Sequence, residues 1–290
     1  PASMTIDLHA HSVFSDGTDT PGEVMACALA AGVTTVAIVD HDTTDGWATA
    51  EADRPDGVTL VRGAELSTHV VVDGRRFSIH LLAYLFSPSV TGIAVEMARL
   101  RADRLQRGLA IVGRMVDAGV PISAAQVLDI AGGAPVGRPH IGRALMERGL
   151  VGSVTEAFSS YLSARGPFYV SKADTPLDRA IALVRDAGGV PVIAHSRSRG
   201  AAAVTDEAFF ARYAEAGLMG VEVDHPDHDA AARIDLRRIA SKYRLIMTGS
   251  SDYHGTNKTV SIGQETTAAE ELAAILAGAS GGVGVLGPVR

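Results

Sequence analysis

The sequence has few of the features that direct a protein to a membrane or an oxidising compartment. It contains one cysteine, Cys27, so no disulfide can form within the chain, and a reducing environment suits it. No apolar run approaches the roughly 18 residues of a membrane span. No basic segment followed by an apolar one precedes the first predicted strand. These absences lead us to expect a cytoplasmic protein without a membrane partner.

The sequence also has fewer basic than acidic residues, 26 against 33. The net charge of -7 argues against a general nucleic-acid coat or an anionic membrane surface as the main partner. Aromatic residues make up only 5% of the chain, but 47% hydrophobic and 20% charged residues are typical of a globular protein. At 290 residues the chain fits one large domain with an insertion, since (β/α) barrels commonly take about 250 residues.

Two histidines and a carboxylate lie in or just after the first predicted strand, residues 5–11. Alternate side chains of a strand point to the same face, so His9 and His11 can bind one metal ion together. Asp16 follows in a Ser-Asp-Gly turn, from which it can reach the same cavity. Two histidines on a surface strand would give the same pattern. The ends of the later strands must therefore decide between a metal site and a surface strand.

Most later strands also end in histidine or a carboxylate. Apolar, β-branched runs alternate with helical segments, and the predicted strands cover residues 34–39, 58–61, 77–84, 190–195, 220–224 and 245–249. Active sites of parallel barrels lie at the carboxyl ends of the strands, so we predict that these polar residues form one site. The candidate metal ligands are His9, His11, Asp16, His41, Glu65, His80, His195, Asp252 and His254.

Six imidazoles and three carboxylates are too many for one ion. A catalytic zinc takes about three protein ligands, so two or three ions are expected. Nitrogen and oxygen donors without thiolate suit Zn²⁺, Mn²⁺ or Fe²⁺. Each residue alone has an ordinary explanation, such as a core histidine for His80 or a turn or capping carboxylate for Asp16, Glu65 and Asp252. Burying so many polar groups together is costly unless they are paired or bound to metal.

A run of helices interrupts the alternation between Thr91 and Gly166. A long amphipathic helix begins this segment, and Ser-x-x-Gln and Ser-x-x-Glu capping motifs mark further helices at Ser123 and Ser153. We predict a discontinuous barrel domain of residues 4–90 and 167–278, a helical insertion of residues 91–166, and a loosely ordered Gly-rich tail of residues 279–290.

Several segments together resemble the ordered motifs of the PHP (polymerase and histidinol phosphatase) family. They are Asp-Leu-His-Ala-His-Ser at 7–12, Asp-His-Asp at 40–42, Gly-Ala-Glu-Leu-Ser at 63–67, His80, Ala-His at 194–195 and Ser-Asp-Tyr-His-Gly at 251–255. The resemblance extends from about residue 5 to 265. It implies an α/β fold, a distorted (β/α)7 TIM-like barrel with an inserted helical subdomain, and a metal-dependent phosphoric ester hydrolase.

The resemblance also implies how the ligands share the metal ions. One ion is expected on His9, His11, Glu65 and Asp252, a second on Glu65, His80 and His195, and a third on Asp16, His41 and His254. Some relatives have histidine where Asp16 stands. The expected cofactors are two to three divalent ions, which are Mn²⁺, Zn²⁺ or Fe²⁺.

Two further segments, Gly-Arg-Pro-His-Ile at 137–141 and His-Pro-Asp-His at 225–228, are similar to those of stand-alone bacterial PHP phosphatases. Members of that branch release the 3′-phosphate of nucleoside 3′,5′-bisphosphates, and some shorten oligonucleotides from the 5′ end. The resemblance implies a nucleotide substrate, with short single-stranded 5′-phosphorylated oligonucleotides as further substrates and no obligate protein partner. The alternatives are a histidinol-phosphate or other small-molecule phosphatase and a non-catalytic metal-binding scaffold.

The expected mechanism is attack on phosphorus by a hydroxide that bridges the two ions on Glu65. Cations neutralise the phosphoryl oxygens, and the candidates are Arg138, Lys172 and Arg197. His225 is expected to protonate the leaving oxygen, to bind phosphate or to support a ligand. We expect ligand imidazoles to be oriented by Asp7, Asp40 and Asp42. One helix face carries Arg101, Arg104 and Arg107, and it is either solvated or able to track an oligonucleotide backbone.

Overall fold

One sheet curls into a nearly closed barrel in the computed structural model, which describes residues 4–288. The strands are β1 (Ile6–Ala10), β2 (Thr35–Ile38), β3 (Thr59–Val72), β4 (Arg75–Tyr84), β5 (Thr175–Pro176), β6 (Val190–Ala194), β7 (Gly220–Asp224) and β8 (Ile246–Gly249). The order in the sheet is β1-β2-β3-β4-β6-β7-β8, and the two-residue β5 pairs with β3. The His11 amide donates to the Tyr253 carbonyl at 2.8 Å, which brings the loop after β8 against β1. The predicted distorted barrel is confirmed.

The distortion comes from β4, which runs antiparallel to both of its neighbours, β3 and β6. The other long pairings, β1–β2, β2–β3, β6–β7 and β7–β8, are parallel. An Asp73-Gly74 turn joins β3 to β4, and both turn residues have positive φ. The prediction that β3 ends near Val61 is wrong, because pairing with β4 extends it to Val72. Glu65 consequently lies within β3 rather than beyond its end.

Helices surround the barrel. They are α1 (Pro21–Ala30), α2 (Trp47–Ala52), α3 (Thr91–Asp117), α4 (Ala124–Ala131), α5 (Arg138–Glu147), α6 (Val154–Ser160), α7 (Leu177–Asp186), α8 (Glu207–Glu215), α9 (Ala230–Tyr243) and α10 (Ala269–Gly278). A capping box starts α1, where the Thr20 hydroxyl accepts from the Glu23 amide and the Glu23 carboxylate accepts from the Thr20 amide. None of the helices described is long and apolar enough to cross a membrane.

The helices α3–α6 pack around apolar side chains of their own. This cluster includes Ile111, Met115, Val127, Ile141 and Leu145, all of them buried. The barrel strands and their covering helices contribute to other apolar clusters, such as that of Leu81, Ile181 and Phe210. The separation of cores is in keeping with a helical insertion, whose boundaries at residues 91 and 166 stay a prediction.

The C-terminal segment is more ordered than the sequence predicts. Leu60 and Leu286 exchange two backbone hydrogen bonds of 2.8 and 3.0 Å. This pairing is possible because β4 pairs with β3 only from Gly63 onward, which leaves the first residues of β3 with an open edge. The prediction of a loosely ordered tail is therefore wrong for residues 279–288. Residues 289–290 lie outside the described residues.

Candidate metal centre

All nine predicted ligands lie at one end of the barrel. Strands β1, β3 and β4 contribute His9, Glu65 and His80. The segments after β1, β2, β6 and β8 contribute the others, which are His11, Asp16, His41, His195, Asp252 and His254. They come together because parallel strands point their carboxyl ends the same way, and antiparallel β4 passes the same end in mid-strand. All nine belong to four groups in which the ligand atoms lie within 4.8 Å of one another, and the groups are linked because they share His9, His11, His41 or Glu65.

The Glu65 carboxylate is the centre of the cluster and is 1% exposed. Its Oε2 atom lies 3.1–3.3 Å from ring nitrogens of His9, His11 and His41, and its Oε1 atom lies 2.8 Å from His80 Nδ1 and 3.0 Å from His195 Nε2. Five imidazoles therefore surround one carboxylate. A carboxylate with imidazoles on both oxygens can bridge two metal ions.

Two further carboxylates flank Glu65. Asp252 Oδ1 lies 3.3 Å from His9 Nε2 and 3.4 Å from His254 Nδ1. Asp16 Oδ1 lies 3.2 Å from His254 Nε2, and Asp16 Oδ2 lies 3.6 Å from His41 Nε2. His254 thus faces both carboxylates, and Asp16 lies on the opposite side of it from Asp252.

Several nitrogen and oxygen atoms of the cluster that could bind metal have no suitable hydrogen-bond partner among the described residues. Asp252 Oδ1 and His41 Nδ1 are buried without a hydrogen-bond partner, although His41 Nδ1 lies 3.3 Å from a Glu65 oxygen. The Nε2 atoms of His9 and His11 lie 3.1 Å apart. Nitrogen and oxygen lone pairs converging in this way fit divalent cations, and the absence of a thiolate in these groups fits Mn²⁺, Zn²⁺ or Fe²⁺.

The three carboxyl groups are ionised at neutral pH. Burial raises the pKa of each, but interactions with neighbouring side chains outweigh it, so the pKa values of Glu65, Asp16 and Asp252 all lie well below the usual range. For Glu65 and Asp16 the largest of these interactions is with the His41 imidazole, and for Asp252 it is with the Lys258 ammonium. The cluster therefore combines negative charge with imidazole nitrogens, as a site for divalent cations requires.

Three imidazoles of the cluster have a pKa below the usual value. They are those of His41, His80 and His254, and burial is the largest cause in each case. Neutral imidazole is the form that binds metal. His9 differs, because Asp252, Glu222 and Glu65 outweigh its burial and raise its pKa well above the usual value.

Sequence reasoning missed Glu222, which is fully buried in β7. Its carboxylate lies 3.1 Å from His9 Nδ1 and accepts the backbone N–H of His195 at 2.8 Å. Valines flank it in the sequence, so a carboxylate in the middle of a buried apolar strand was the available signal.

The residues predicted to orient the imidazoles have another function. Asp40 accepts from the Ser12 amide at 2.8 Å, and Asp42 accepts from the Ser67 amide at 2.7 Å. Asp7 accepts from the amides of Ser251, at 3.1 Å, and Gly263, at 2.8 Å. These carboxylates fix the backbone of the segments that carry the ligands. Asp40 also reaches an imidazole indirectly, because the Ser15 hydroxyl donates to Asp40 at 2.6 Å and lies 3.3 Å from His11 Nδ1.

A cavity of about 550 Å³ opens above the cluster. The helical insertion and the segment after it contribute cations to its wall, namely Arg104, Arg107, Arg138 and Lys172, and the loop after β8 contributes Lys258. Arg138 and Lys172 are predicted phosphate-binding residues, and Lys258 was not predicted. Lys258 contacts Asp252 Oδ2 directly, so it faces the cluster itself.

The structure does not bring Arg197 into this cavity. Its guanidinium donates to Asp235 Oδ2 at 2.6 Å and to the Thr205 carbonyl. The prediction that Arg197 binds phosphate is therefore wrong. Its position two residues after His195 was misleading, because its guanidinium is directed to these partners instead.

His225 is buried and absent from the cavity wall. Its Nε2 atom lies 3.4 Å from Asp252 Oδ2, and its Nδ1 atom accepts the Asp227 amide at 3.0 Å. It is only 2% exposed. The expected contact of His225 with the substrate is not supported, and its place behind Asp252 suits the support of a ligand.

The three arginines of α3 are not a solvated face. Arg101 donates to the Asp42 carbonyl at 2.9 Å, and Arg104 donates to Asp42 Oδ2 at 2.7 Å. Arg107 donates to the Val170 carbonyl at 2.8 Å. These contacts join the insertion to the barrel beside His41, so the three side chains do not form a free track for an oligonucleotide.

Comparison with known proteins gives relatives over nearly the whole chain. A 3′,5′-nucleoside bisphosphate phosphatase of Chromobacterium violaceum is 30% identical over 258 residues, which are 86% of this chain and 87% of that protein. A phosphoribosyl 1,2-cyclic phosphate 1,2-diphosphodiesterase of Eggerthella lenta is 30% identical over 260 residues, 87% of this chain and 95% of that protein. The 5′-3′ exoribonuclease Rnm of Escherichia coli is 28% identical over 266 residues, 91% of this chain and 89% of that protein. No family model matches the chain.

A solved structure agrees with these relatives. A protein of Bifidobacterium adolescentis, described as a metal-dependent phosphoesterase, superposes with a TM-score of 0.89 at 33% identity, covering 97% of this chain and 98% of that one. Together with the buried cluster of histidines and carboxylates, this agreement makes the protein a hydrolase that depends on divalent metal. The chain belongs to the PHP family of metal-dependent phosphoesterases.

Proposed function

We propose that the protein hydrolyses the 3′-phosphate ester of nucleoside 3′,5′-bisphosphates. One observation carries the proposal: the cavity is lined both by the histidine and carboxylate cluster and by three cations, Arg107, Arg138 and Lys172. A substrate with two phosphates can place one at the cluster and the other at the cations. The Chromobacterium violaceum relative, named for such a substrate, supports this interpretation.

The proposed ligand sets are those implied by the family resemblance. His9, His11, Glu65 and Asp252 hold one ion, Glu65, His80 and His195 hold a second, and Asp16, His41 and His254 hold a third. The groups of ligand atoms within 4.8 Å of one another divide the same residues differently, because they place His80 with His41 and Glu65, and His195 with His9 and Glu65. When bound, such ions supply an activated water and neutralise charge on the phosphoryl oxygens. Glu65 belongs to two sets, so its loss affects two ions. We include Mn²⁺, Zn²⁺ and Fe²⁺ as the candidate metals.

The wall of the cavity is arranged to hold an anion. The Arg138 guanidinium donates to the Leu162 carbonyl at 2.9 Å and lies 4.7 Å from the centre of the Phe158 ring, which fixes its place. The pKa of Lys172 is lowered to about 8, chiefly by burial, and Arg138 is among the neighbouring cations that contribute to the lowering. A bound phosphate relieves this repulsion between cations.

The same wall separates the proposed substrate from histidinol phosphate. Histidinol phosphate carries an ammonium group, which Arg107, Arg138 and Lys172 would repel. Apolar side chains also face the cavity, among them Pro139, Phe158 and Leu162, and they suit a nucleobase. The cations and the apolar side therefore favour a nucleotide.

A second candidate activity is the shortening of 5′-phosphorylated oligonucleotides. If the cations hold a 5′-phosphate, the 3′ phosphorus of the same nucleotide reaches the cluster whether it is a terminal ester or part of a chain. The Escherichia coli relative, named as a 5′-3′ exoribonuclease, supports this activity. Both activities need the same two anion positions.

A phosphate-release panel tests the proposal. Protein loaded with Mn²⁺ is given adenosine 3′,5′-bisphosphate, 3′-AMP, 5′-AMP, histidinol phosphate and a short 5′-phosphorylated RNA, the last followed by nucleotide release. The bisphosphate should give the highest kcat/KM, with 5′-AMP as the product. 3′-AMP is the matched control, because it lacks the phosphate that the cations would hold. Equal kcat/KM for 3′-AMP and the bisphosphate would refute the role of the cations, and failure on all substrates with metal bound would refute the proposed function.

A further inference from the structure

We propose that Glu222 is a positioning residue that fixes ligands of two neighbouring metal ions at once, His9 and His195. The proposal rests on the ligand sets of the proposed function and not on the substrate. Glu222 is fully buried in β7, beneath the cluster, and it is not one of the nine candidate metal ligands. Its two oxygens have different partners: Oε1 lies 3.1 Å from His9 Nδ1, and Oε2 accepts the His195 backbone N–H at 2.8 Å.

The contact with His9 selects which ring nitrogen faces the cluster. An ionised carboxylate only accepts hydrogen bonds, so the Nδ1 atom of His9 carries the proton. The Nε2 atom is thereby directed to the metal, 3.3 Å from both Glu65 Oε2 and Asp252 Oδ1. A carboxylate partner also makes an imidazole a more basic ligand.

The contact with His195 fixes a backbone conformation that few residues adopt. His195 has a φ of 30°, in the left-handed region that favours glycine. The hydrogen bond from its N–H to Glu222 holds the peptide at the point where β6 ends. From there the His195 ring reaches Glu65 Oε1 at 3.0 Å. Glu222 thus orients both His9, a proposed ligand of the first ion, and His195, a proposed ligand of the second.

The two contacts together set the separation between the ligands. His9 comes from β1 and His195 follows β6, strands that are not neighbours in the sheet. Their rings lie 5.8 Å apart and nearly parallel, and Glu222 is bonded to both residues. Each oxygen of the Glu222 carboxylate thus has its own partner, so one side chain accepts from both residues.

The isosteric substitution Glu222→Gln tests the proposal. An amide has one acceptor oxygen, so it can accept from His9 or from His195 but not from both, and its NH₂ group then faces a donor. We expect the Mn²⁺ affinity, measured by titration of the thermal unfolding midpoint, to fall about 10–100-fold. Metal content after gel filtration should fall with it, and millimolar Mn²⁺ should restore metal binding.

Glu96→Gln is the matched control. Glu96 is also buried, at 6% exposed, but it pairs with Arg99 at 2.6 Å on α3, away from the cluster. Its substitution should lower the unfolding midpoint without changing the Mn²⁺ affinity. A folded Glu222→Gln variant with unchanged Mn²⁺ affinity would overturn the proposal. If that variant does not fold, Glu222→Asp replaces it, because the shorter side chain cannot reach both partners and should show the same loss.

Glu65→Gln, measured in parallel, separates this proposal from the ligand sets. If both variants keep full metal binding, the ligand sets are wrong and the proposal falls with them. If Glu65→Gln loses metal and Glu222→Gln keeps it, only the positioning role fails.

Discussion

The cationic wall of the cavity predicts a pH dependence that can be assigned to one side chain. The pKa of Lys172 is lowered to about 8: burial is the largest cause, Asp174 opposes it, and Arg104, Arg138 and Arg107 contribute to the lowering. Lysine is charged below its pKa, so Lys172 carries its charge at pH 7 and loses it as the pH rises above about 8. If the charged form binds the second phosphate of the substrate, affinity falls on the alkaline side.

The size of this effect follows from the titration. One unit above its pKa about a tenth of Lys172 is charged, which corresponds to roughly a tenfold loss of kcat/KM by pH 9, or about 1.4 kcal/mol. Because kcat/KM reports the groups of the free enzyme, it is the parameter to measure between pH 6.5 and 9.5.

The control variant is Lys172→Arg, since arginine keeps its charge throughout this range. The ratio of the wild-type kcat/KM to that of Lys172→Arg removes titrations that the two proteins share. We expect this ratio to fall about tenfold between pH 7 and pH 9. A constant ratio would refute the role of Lys172 as a charged phosphate ligand.

Two further substitutions test the placement of the other arginines. Arg197→Ala should keep kcat/KM for adenosine 3′,5′-bisphosphate within about twofold of the wild-type value, because the Arg197 guanidinium is bonded to Asp235 and Thr205 away from the cavity. A loss of about a hundredfold or more in kcat/KM would contradict this placement. Arg104→Ala should lower the free energy of unfolding by about 3–5 kcal/mol, since it leaves the fully buried Asp42 carboxylate without its cation. Urea unfolding measures this loss, and a change below about 1 kcal/mol would contradict the structural importance of the pair.

The strand ends made the metal cluster predictable. An apolar strand that delivers histidine or a carboxylate at its end is recognisable in the sequence, and His9, His41, His195 and Asp252 were found in this way. Convergence then follows from the barrel, because parallel strands present those ends together. Glu65 was found although the predicted strand end was wrong, since β3 continues through the hairpin with β4.

Side-chain direction was the part that the sequence could not provide. Arg197 lies two residues from a ligand and His225 follows β7, yet neither side chain lines the cavity: Arg197 is bonded to Asp235, and His225 lies behind Asp252. Arg104 and Lys258 are far apart in the chain and meet the site through tertiary contacts that no local pattern encodes. Glu222 was hidden by its valine neighbours, since a strand buried on both faces shows no alternation to mark the side that faces the cluster.

The central claim is that Glu65 and its neighbours bind more than one metal ion. Elemental analysis of the protein after purification in manganese and gel filtration tests it most directly. The proposed ligand sets predict two to three divalent ions per wild-type chain and a loss of at least one in Glu65→Gln, because that carboxylate belongs to two sets. Fewer than two ions per wild-type chain, or an unchanged metal content in Glu65→Gln, would contradict the claim.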